Sequence, residues 1–312
     1  MNQTATSKGP FAALAARRRR RIEAEELGVT RRAGARPKYQ LQGIILSWIL
    51  LSIVMVFLLL PLVWSFFSTF KTPIEIYRIP VRMLPERFSL HNYVRILTSS
   101  DFPRYFWNSV FLTVVTTVAT IFISIWAAYA FARMKFPLRH VLLIFILVPR
   151  LIPRISVVIP LYRIIVSMGL LNTYTALLLS YTVTSLPFAV WILAGVFEAI
   201  PRELEESAFM DGAHLLQTLW YIMLPIAIPG LLAVVIFTVR ETWNEFPFVL
   251  SFTQSADMRT LPYQLFLFRD TLGIEDWPLI NTFAIITVLP ILLAYFIFAR
   301  HVTTGIVKGA VK

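Results

Sequence analysis

Residues 201–225 read PRELEESAFMDGAHLLQTLWYIMLP and hold four carboxylates, Glu203, Glu205, Glu206 and Asp211, in a chain otherwise poor in charge. On either side of them the charges stop: Arg163 and Glu198 enclose 34 uncharged residues, and Asp211 and Arg240 enclose 28. Three more uncharged blocks lie between Lys38 and Lys71 (32 residues), Arg104 and Arg133 (28) and Asp276 and Arg300 (23). A membrane-spanning helix needs about 20 apolar residues, so each block can hold one. The composition agrees, being 57% hydrophobic and only 15% charged, with a mean hydropathy of +0.71; soluble domains carry about a quarter of charged residues. The acidic stretch is therefore a polar loop between two spans of an all-α, polytopic integral membrane protein.

Six transmembrane helices are expected, at 43–68, 107–131, 141–160, 174–197, 227–249 and 279–299. The third is interrupted by Arg150, Arg154, Pro149, Pro153 and Pro160, and the fifth carries Arg240, Glu241 and Glu245. Basic residues set the orientation through the positive-inside rule. Ten of the 29 Lys and Arg lie in residues 1–38, the short loop 132–140 has Arg133, Lys135 and Arg139 without an acid, and the tail has Arg300, Lys308 and Lys312. An even number of spans puts all of these on one side, so both termini and the loop 198–226 are expected in the cytoplasm. The loop 70–105, with six Lys/Arg against three acids, runs mildly against this assignment.

The net charge of +12 resides largely in that N-terminal arm, with its run Arg17 to Arg21. The arm 1–42 reads as a solvated, mostly flexible cytoplasmic segment that fixes topology and is attracted to anionic membrane lipid as a by-product. The rival reading is a lipid- or nucleic-acid-binding arm. Arg19/Glu23 and Arg21/Glu25 stand at helical i,i+4 spacing. No cleaved signal peptide is expected, because the first apolar run starts beyond residue 40 and is too long for one. With no cysteine there is no disulfide, thiolate metal site or cysteine nucleophile.

The polar loop is expected to fold as two short helices with a hinge. Pro201 suits a first helical position, and the three glutamates then sit where the helix dipole favours anions. Ala208 and Gly212, four apart, offer a small-residue face to another backbone. Asp211-Gly212 marks a break, after which HLLQTLWYIM resumes as helix up to Leu224-Pro225. Phe209, Met210, Leu215, Leu216 and Leu219 make the loop too apolar to be merely solvated, and acids rimming an apolar patch mark a protein partner. An ordinary re-entry loop with decorated helix ends is the alternative.

Two pairs of charges fall inside spans. Arg150 and Arg154 are i,i+4, as are Glu241 and Glu245, and both pairs lie up to ~20 Å from the cytoplasmic end at ~1.5 Å per residue. Charges at that depth usually pair or line a wet pathway. Either these four form a cluster, or the third span ends near Pro149 and the arginines sit at the interface; both readings stay open. Trp243-Asn244 is either a pathway-facing pair or helix packing with a hydrogen-bonded Asn.

The loop also carries a hallmark. Glu206-Ser207-Ala208, Gly212, Ile222 and Leu224-Pro225 resemble, at every spacing, the Glu-Ala-Ala motif of membrane subunits of bacterial ABC importers, with Ser for the first Ala. NSVFLTVVTTVATIFISIWAAYAFARMKF, IPLYRIIVSMGLLNT, WNEFPFVL, RTLP and the ending GIVKGAVK are similar to the carbohydrate-uptake, MalG-type branch, so the resemblance covers residues 43–312. It implies a type I importer (MetI-like) permease fold in the bacterial cell membrane. It implies a coupling helix that docks on a cytoplasmic ATPase subunit through Glu206, Ser207, Ala208, Asp211 and Gly212, and a tail TTGIVKGAVK reaching into the ATPase dimer. The implied partners are a second, MalF-type permease, two ATPase subunits holding ATP and Mg, and an extracytoplasmic binding protein. The family usually has small or apolar residues where Arg150 and Arg154 stand, a departure that points to an acidic or phosphorylated sugar-like solute.

The residues themselves supply no engine. There is no G-x-x-x-x-G-K-[ST] loop and no G-x-S-x-G elbow, and His91, His140, His214 and His301 lack metal-binding spacing. No catalytic, cofactor or metal residue is expected, and no nucleic-acid partner. The expected function is the permease subunit of an ATP-driven importer of a carbohydrate, polyol or acidic sugar. A self-energised secondary transporter is the alternative, although only one span is broken and nothing mirrors it. Deleting residues 1–38 is expected to leave solute uptake by cells largely intact; loss of uptake in stably inserted protein would assign function to the arm.

Overall fold

The computed structural model describes residues 38–270 and 276–309, with side chains for 43–268 and 276–298. The basic arm, its Arg/Glu spacings and the side chains of the C-terminal tail lie outside these. The chain divides into two compact units, one reaching Trp64 and the other starting at Ser65. The first contains most of helix α1, Lys38–Ser68, whose stretch Gly43–Ser68 is apolar and long enough to cross a membrane.

In the second unit the regular elements among the described residues are all helices, joined by turns and loops. Short helices at Pro73–Ile76 and His91–Leu97 lead to α2, Phe102–Arg133. Then come α3 (Arg139–Leu147), a 3-10 turn at Val148–Leu151, and α4 (Arg154–Ser167). The helix α5 spans Tyr174–Ala199, α6 Glu203–Met210 and α7 Leu215–Trp243. After these follow α8 (Pro247–Phe252), a helix at Leu261–Asp270, and α9 (Trp277–Gly309). Among the described residues five helices are long and apolar enough to cross a membrane, and the first, second, fourth and sixth expected spans lie within α1, α2, α5 and α9.

The other two spans differ from expectation. The third, expected to be interrupted within 141–160, extends further and is sharply bent: the two halves Arg139–Leu151 and Arg154–Ser167 meet at 100°. The cause is local. Pro153 disfavours the helical conformation at the residue before it, and Ile152 is extended at φ −85°, ψ 128°. Pro153 then stands as the N-cap of α4. The fifth span begins at Leu215 rather than 227 and ends at Trp243 rather than 249. Leu224-Pro225 does not stop the helix. A π-helical turn at Leu219–Met223 widens the backbone ladder before Pro225, which takes one of the first positions of the following α segment. The lost donor of proline costs little at such a position, and the wider turn accommodates its ring.

Helices in lipid gain little from hiding apolar surface, because the tails are as apolar as leucine; close packing through small residues takes over. The helix α2 shows the consequence. Thr116, Thr120, Ser124, Ala128 and Ala132 recur every four residues and are all buried, forming one small-residue ridge. The most extensive helix contact in the molecule is made by α2 against α5, where Ala176, Ser180, Ser185, Ala189 and Ala194 are also buried. Around the seam, Tyr129, Leu193, Phe197, Leu219, Met223 and Val234 build the core shared by α2, α5 and α7. Close approach also explains Gly230 of α7, where a Cβ would lie 2.5 Å from Val196 Cγ2. Valine is stiff at χ1 in a helix and cannot turn aside. Gly230→Leu is expected to cost about 1–3 kcal/mol by overpacking, read as a lower unfolding midpoint of the purified protein in detergent. Gly195→Leu, with no neighbour within 4 Å, is the control.

Candidate functional site

The loop between α5 and α7 is built as a short, capped helix on a hinge. Pro201 is not its first residue: Arg202 is the N-cap and α6 runs Glu203–Met210. Its three glutamates occupy the first turn, at the positive end of the helix dipole. At the other end the N–H of Ala213 bonds the carbonyl of Ala208 (2.9 Å) and that of Gly212 bonds Phe209 (3.1 Å), closing the turn typical of glycine-terminated helices. Gly212 stands at φ +85° with no atom near its absent Cβ. Its fixed requirement in this chain is thus the left-handed backbone. Ala208 is 5% exposed and faces inward, so Ala208 and Gly212 do not make one outward small-residue face. The helix resumes at His214, whose Nδ1 accepts from the Gln217 N–H (3.3 Å) while Gln217 Oε1 accepts from the His214 N–H (3.0 Å).

The glutamates divide by direction. Glu203 and Glu206 are exposed, together with Ser207, Asp211 and the apolar Leu204, Phe209 and Met210. Glu205, by contrast, is 6% exposed and ionically paired with Arg133 at the end of α2. Tyr129, one turn earlier on α2, donates its hydroxyl to Glu205 Oε2 (3.1 Å). Arg133 Nη2 also donates to the carbonyl of Ile200 (2.8 Å) and approaches Met223 Sδ at 3.9 Å. One guanidinium thus joins the ends of α2 and α5, the helix α6 and the π-turn of α7. The signal for this was available: Tyr129 and Arg133 are four apart on α2, and Glu205 and Ala208 are three apart on α6.

The charged residues of the third and fifth spans meet, though not through shared helical spacing. Arg150 lies in the 3-10 turn and Arg154 opens α4 beyond the break, so they share no helix face. Likewise α7 ends at Trp243, leaving Glu245 in the link before α8. Tertiary folding brings them together. Arg150 Nη2 lies 3.3 Å from Glu241 Oε2, Arg154 pairs with the same oxygen more closely, and Arg154 Nη1 lies 3.2 Å from Glu245 Oε2. From outside the expected set, Arg240 reaches Glu241 Oε1 at 2.7 Å. Glu245 is almost wholly buried, and its Oε1 accepts the Phe248 N–H (2.8 Å) at the start of α8. Arg150 also stacks on aromatic rings, its Cζ 5.2 Å from the centre of Phe188 and 4.6 Å from that of Phe237.

Trp243 takes a packing position and Asn244 an exposed one. Trp243 is 5% exposed and donates Nε1–H to the carbonyl of Thr287 on α9 (3.0 Å). Asn244 is exposed and donates Nδ2–H to the carbonyl of Arg240 (2.8 Å). Two family-like stretches also have structural explanations. Asn172 of GLLNT accepts at Oδ1 from the N–H groups of Gln254 (2.9 Å) and Ser255 (3.1 Å). At RTLP, the Leu261 N–H donates to Ser109 Oγ (2.9 Å) and the Arg259 carbonyl accepts from Asn108 Nδ2 (2.9 Å). Among the described residues no cluster of His, Asp or Glu could hold a metal ion.

A bent span, a capped loop helix and long apolar helices make a multi-pass membrane fold. The chain belongs to the family described as "Binding-protein-dependent transport system inner membrane component", whose model matches residues 120–308. It is thus a multi-pass membrane permease subunit of the ABC importers, a transport component rather than an enzyme. It is 33% identical over 267 residues to the sulfoquinovosyl glycerol transport system permease protein SmoH of Agrobacterium fabrum, covering 86% of this chain and 93% of that protein. It is 32% identical to the trehalose/maltose transport system permease protein MalG of Thermococcus litoralis, covering 86% and 96%. In fold it is similar to a chain of a bacterial ABC transporter crystal structure involved in the import of the acidic polysaccharide alginate. The TM-score there is 0.71 at 22% identity, covering 85% of this chain and 98% of that one.

Both members of the Arg133–Glu205 pair are only 7% exposed at their side chains. Breaking a buried pair on one side leaves a bare charge and costs about 3–5 kcal/mol. Glu205→Gln and Arg133→Gln are each expected to lower detergent stability by that order, and the double variant by clearly less than their sum. Additive losses would deny the pair.

Proposed function

We propose that this chain is one of two homologous permeases in an ATP-driven importer for a carbohydrate or a related polyol or acidic sugar. Two ATPase subunits, carrying ATP and Mg, dock on its cytoplasmic face, and an extracytoplasmic binding protein delivers the solute. The supporting names are those of relatives for sulfoquinovosyl glycerol, for trehalose and maltose, and for diacetylchitobiose. A crystal structure of similar fold holds the alginate transporter with a pentasaccharide-bound periplasmic protein. In this reading the cytoplasm holds both termini, residues 1–42 are a basic arm, and residues 43–312 form the permease domain with its coupling loop at 198–226.

The observation that carries the mechanism is the two-sidedness of α6. Outward, it offers Glu203, Glu206, Ser207 and Asp211 beside exposed Phe209 and Met210, a surface for an apolar cleft with a basic rim on the ATPase. Inward, Glu205 fastens it to Arg133 and Tyr129 of α2. Closure of the ATPase dimer pushes α6, and a fastened α6 moves the ends of α2 and α5 with it. The chain then shifts between inward- and outward-facing populations because the ATPase binds the two with different affinity. Glu206 makes the ionic contact with the ATPase, Gly212 keeps the turn, and Leu224-Pro225 sit at the π-turn through which α7 follows. Glu241, Glu245, Arg150 and Arg154 belong to the region of the pathway, with Trp243 and Asn244 holding its frame. A secondary transporter would need none of this outward surface.

Affinity purification of the tagged chain from its own cells is expected to retain a P-loop ATPase, and Glu206→Lys to abolish retention while the chain stays folded. Retention unchanged by that reversal would remove Glu206 from the contact. Failure of any ATPase to co-purify, with uptake intact, would favour the secondary transporter.

A further inference from the structure

The arginines of the broken span have more donors than the nearby carboxylates can serve. Three guanidinium groups, Arg150, Arg154 and Arg240, converge on Glu241, and Glu245 also serves the backbone of α8. Three cations against two carboxylates leave one positive charge. Arg240 is mostly solvated, but the side chains of Arg150 and Arg154 are only 25% and 34% exposed. Buried donors without acceptors gather here as well: Arg150 Nη1, Tyr181 Oη and Thr242 Oγ1 have none. Tyr181 and Thr242 line a narrow polar cleft with Arg154, Glu241 and Glu245. On the other side, Arg150, Arg154 and Thr184 line a cavity of ≈ 240 Å³ whose remaining wall is apolar, including Val157, Pro187 and Phe248. A largely apolar pocket lined by two guanidinium groups and no carboxylate, with Arg150 Nη1 left without an acceptor, is complementary to an anion.

We propose that this cavity is a subsite for the anionic group of the transported solute, a carboxylate, sulfate, sulfonate or phosphate on a sugar ring. Glu241 and Glu245 hold the two guanidinium groups in place when it is empty. The solute's anion competes with Glu241 for Arg150 and Arg154, while the ring lies against Pro187 and Phe248. Because Arg150 and Arg154 sit on opposite sides of the 100° bend, the same exchange loosens or tightens the tie between the bent span and α7. The inference rests on the importer reading, and its test separates the two.

The purified complex, with whatever ATPase it retains, is treated with phenylglyoxal, and modification of Arg150 and Arg154 is followed by peptide mass spectrometry. The probes are D-glucuronate, glucose 6-sulfate and glucose 6-phosphate, with glucose as the neutral match and Arg163 as the internal reference. At least one anionic probe is expected to slow Arg154 modification by 1 + [L]/Kd, about tenfold at ten times its Kd, with no slowing by glucose. Glu241→Gln removes the competing carboxylate and is expected to tighten that protection, whereas Arg154→Gln is expected to abolish protection at Arg150. Equal rates with all three anions and with glucose would overturn the proposal. So would an Arg154 already protected in the ligand-free complex but reactive in the isolated chain, which would hand the site to a carboxylate of a partner subunit. Loss of the co-purifying ATPase, by contrast, would count against the importer reading and leave the protection result to stand on its own.

Discussion

The molecule depends on how α2 meets α5. Two helices in a bilayer are not driven together by apolar surface, so they must fit closely enough for dispersion and local hydrogen bonds to hold them. The ridge Thr116, Thr120, Ser124, Ala128 and Ala132 supplies that fit, and the large side chains Tyr129, Leu193 and Phe197 fill the margins. Because the seam runs to the ends of both helices, it delivers Arg133 and the carbonyl of Ile200 to one place. Everything that follows in the loop is hung on that place.

The Arg133–Glu205 pair ties a surface loop to the end of α2. A helix of eight residues is marginal alone. Here α6 is held by a buried ion pair, a tyrosine hydroxyl, a glycine-terminated turn at one end and the capped restart at His214 beyond it. Glu203, Glu206, Ser207 and Asp211 are left on the exposed side. The division of labour among Glu203, Glu205 and Glu206 follows from the 100° step of the helix, which aims neighbouring carboxylates in different directions.

At the opposite end of α7 the same logic operates with more risk. A broken helix exposes backbone groups that lipid cannot satisfy, so such breaks survive only where protein or water surrounds them. The Arg150, Arg154, Glu241 and Glu245 ladder lies across the break at Ile152-Pro153 and ties it to the end of α7 and the start of α8. Proline produces the bend, and the charges hold its two arms to the neighbouring helix end.

What the sequence determined by itself was set by local chemistry. Uncharged blocks long enough for a bilayer marked the spans, Asp211-Gly212 marked the hinge, and the acids after Pro201 marked a helix start. The prolines marked a broken third span without saying how far it bends. Residue spacing could not show that Glu205 points inward and Glu206 outward, because that depends on where α2 ends in space. Nor could it show that Pro225 lies inside a continuous helix, since the π-turn before it is stabilised by the packing of Leu219 and Met223. The charge ladder is the clearest case. Helical spacing paired Arg150 with Arg154 and Glu241 with Glu245, whereas the fold breaks both helical registers and pairs arginine with glutamate. Partners some 90 residues apart are chosen by three-dimensional packing, and in a low-dielectric interior that choice is enforced by the cost of leaving either charge alone.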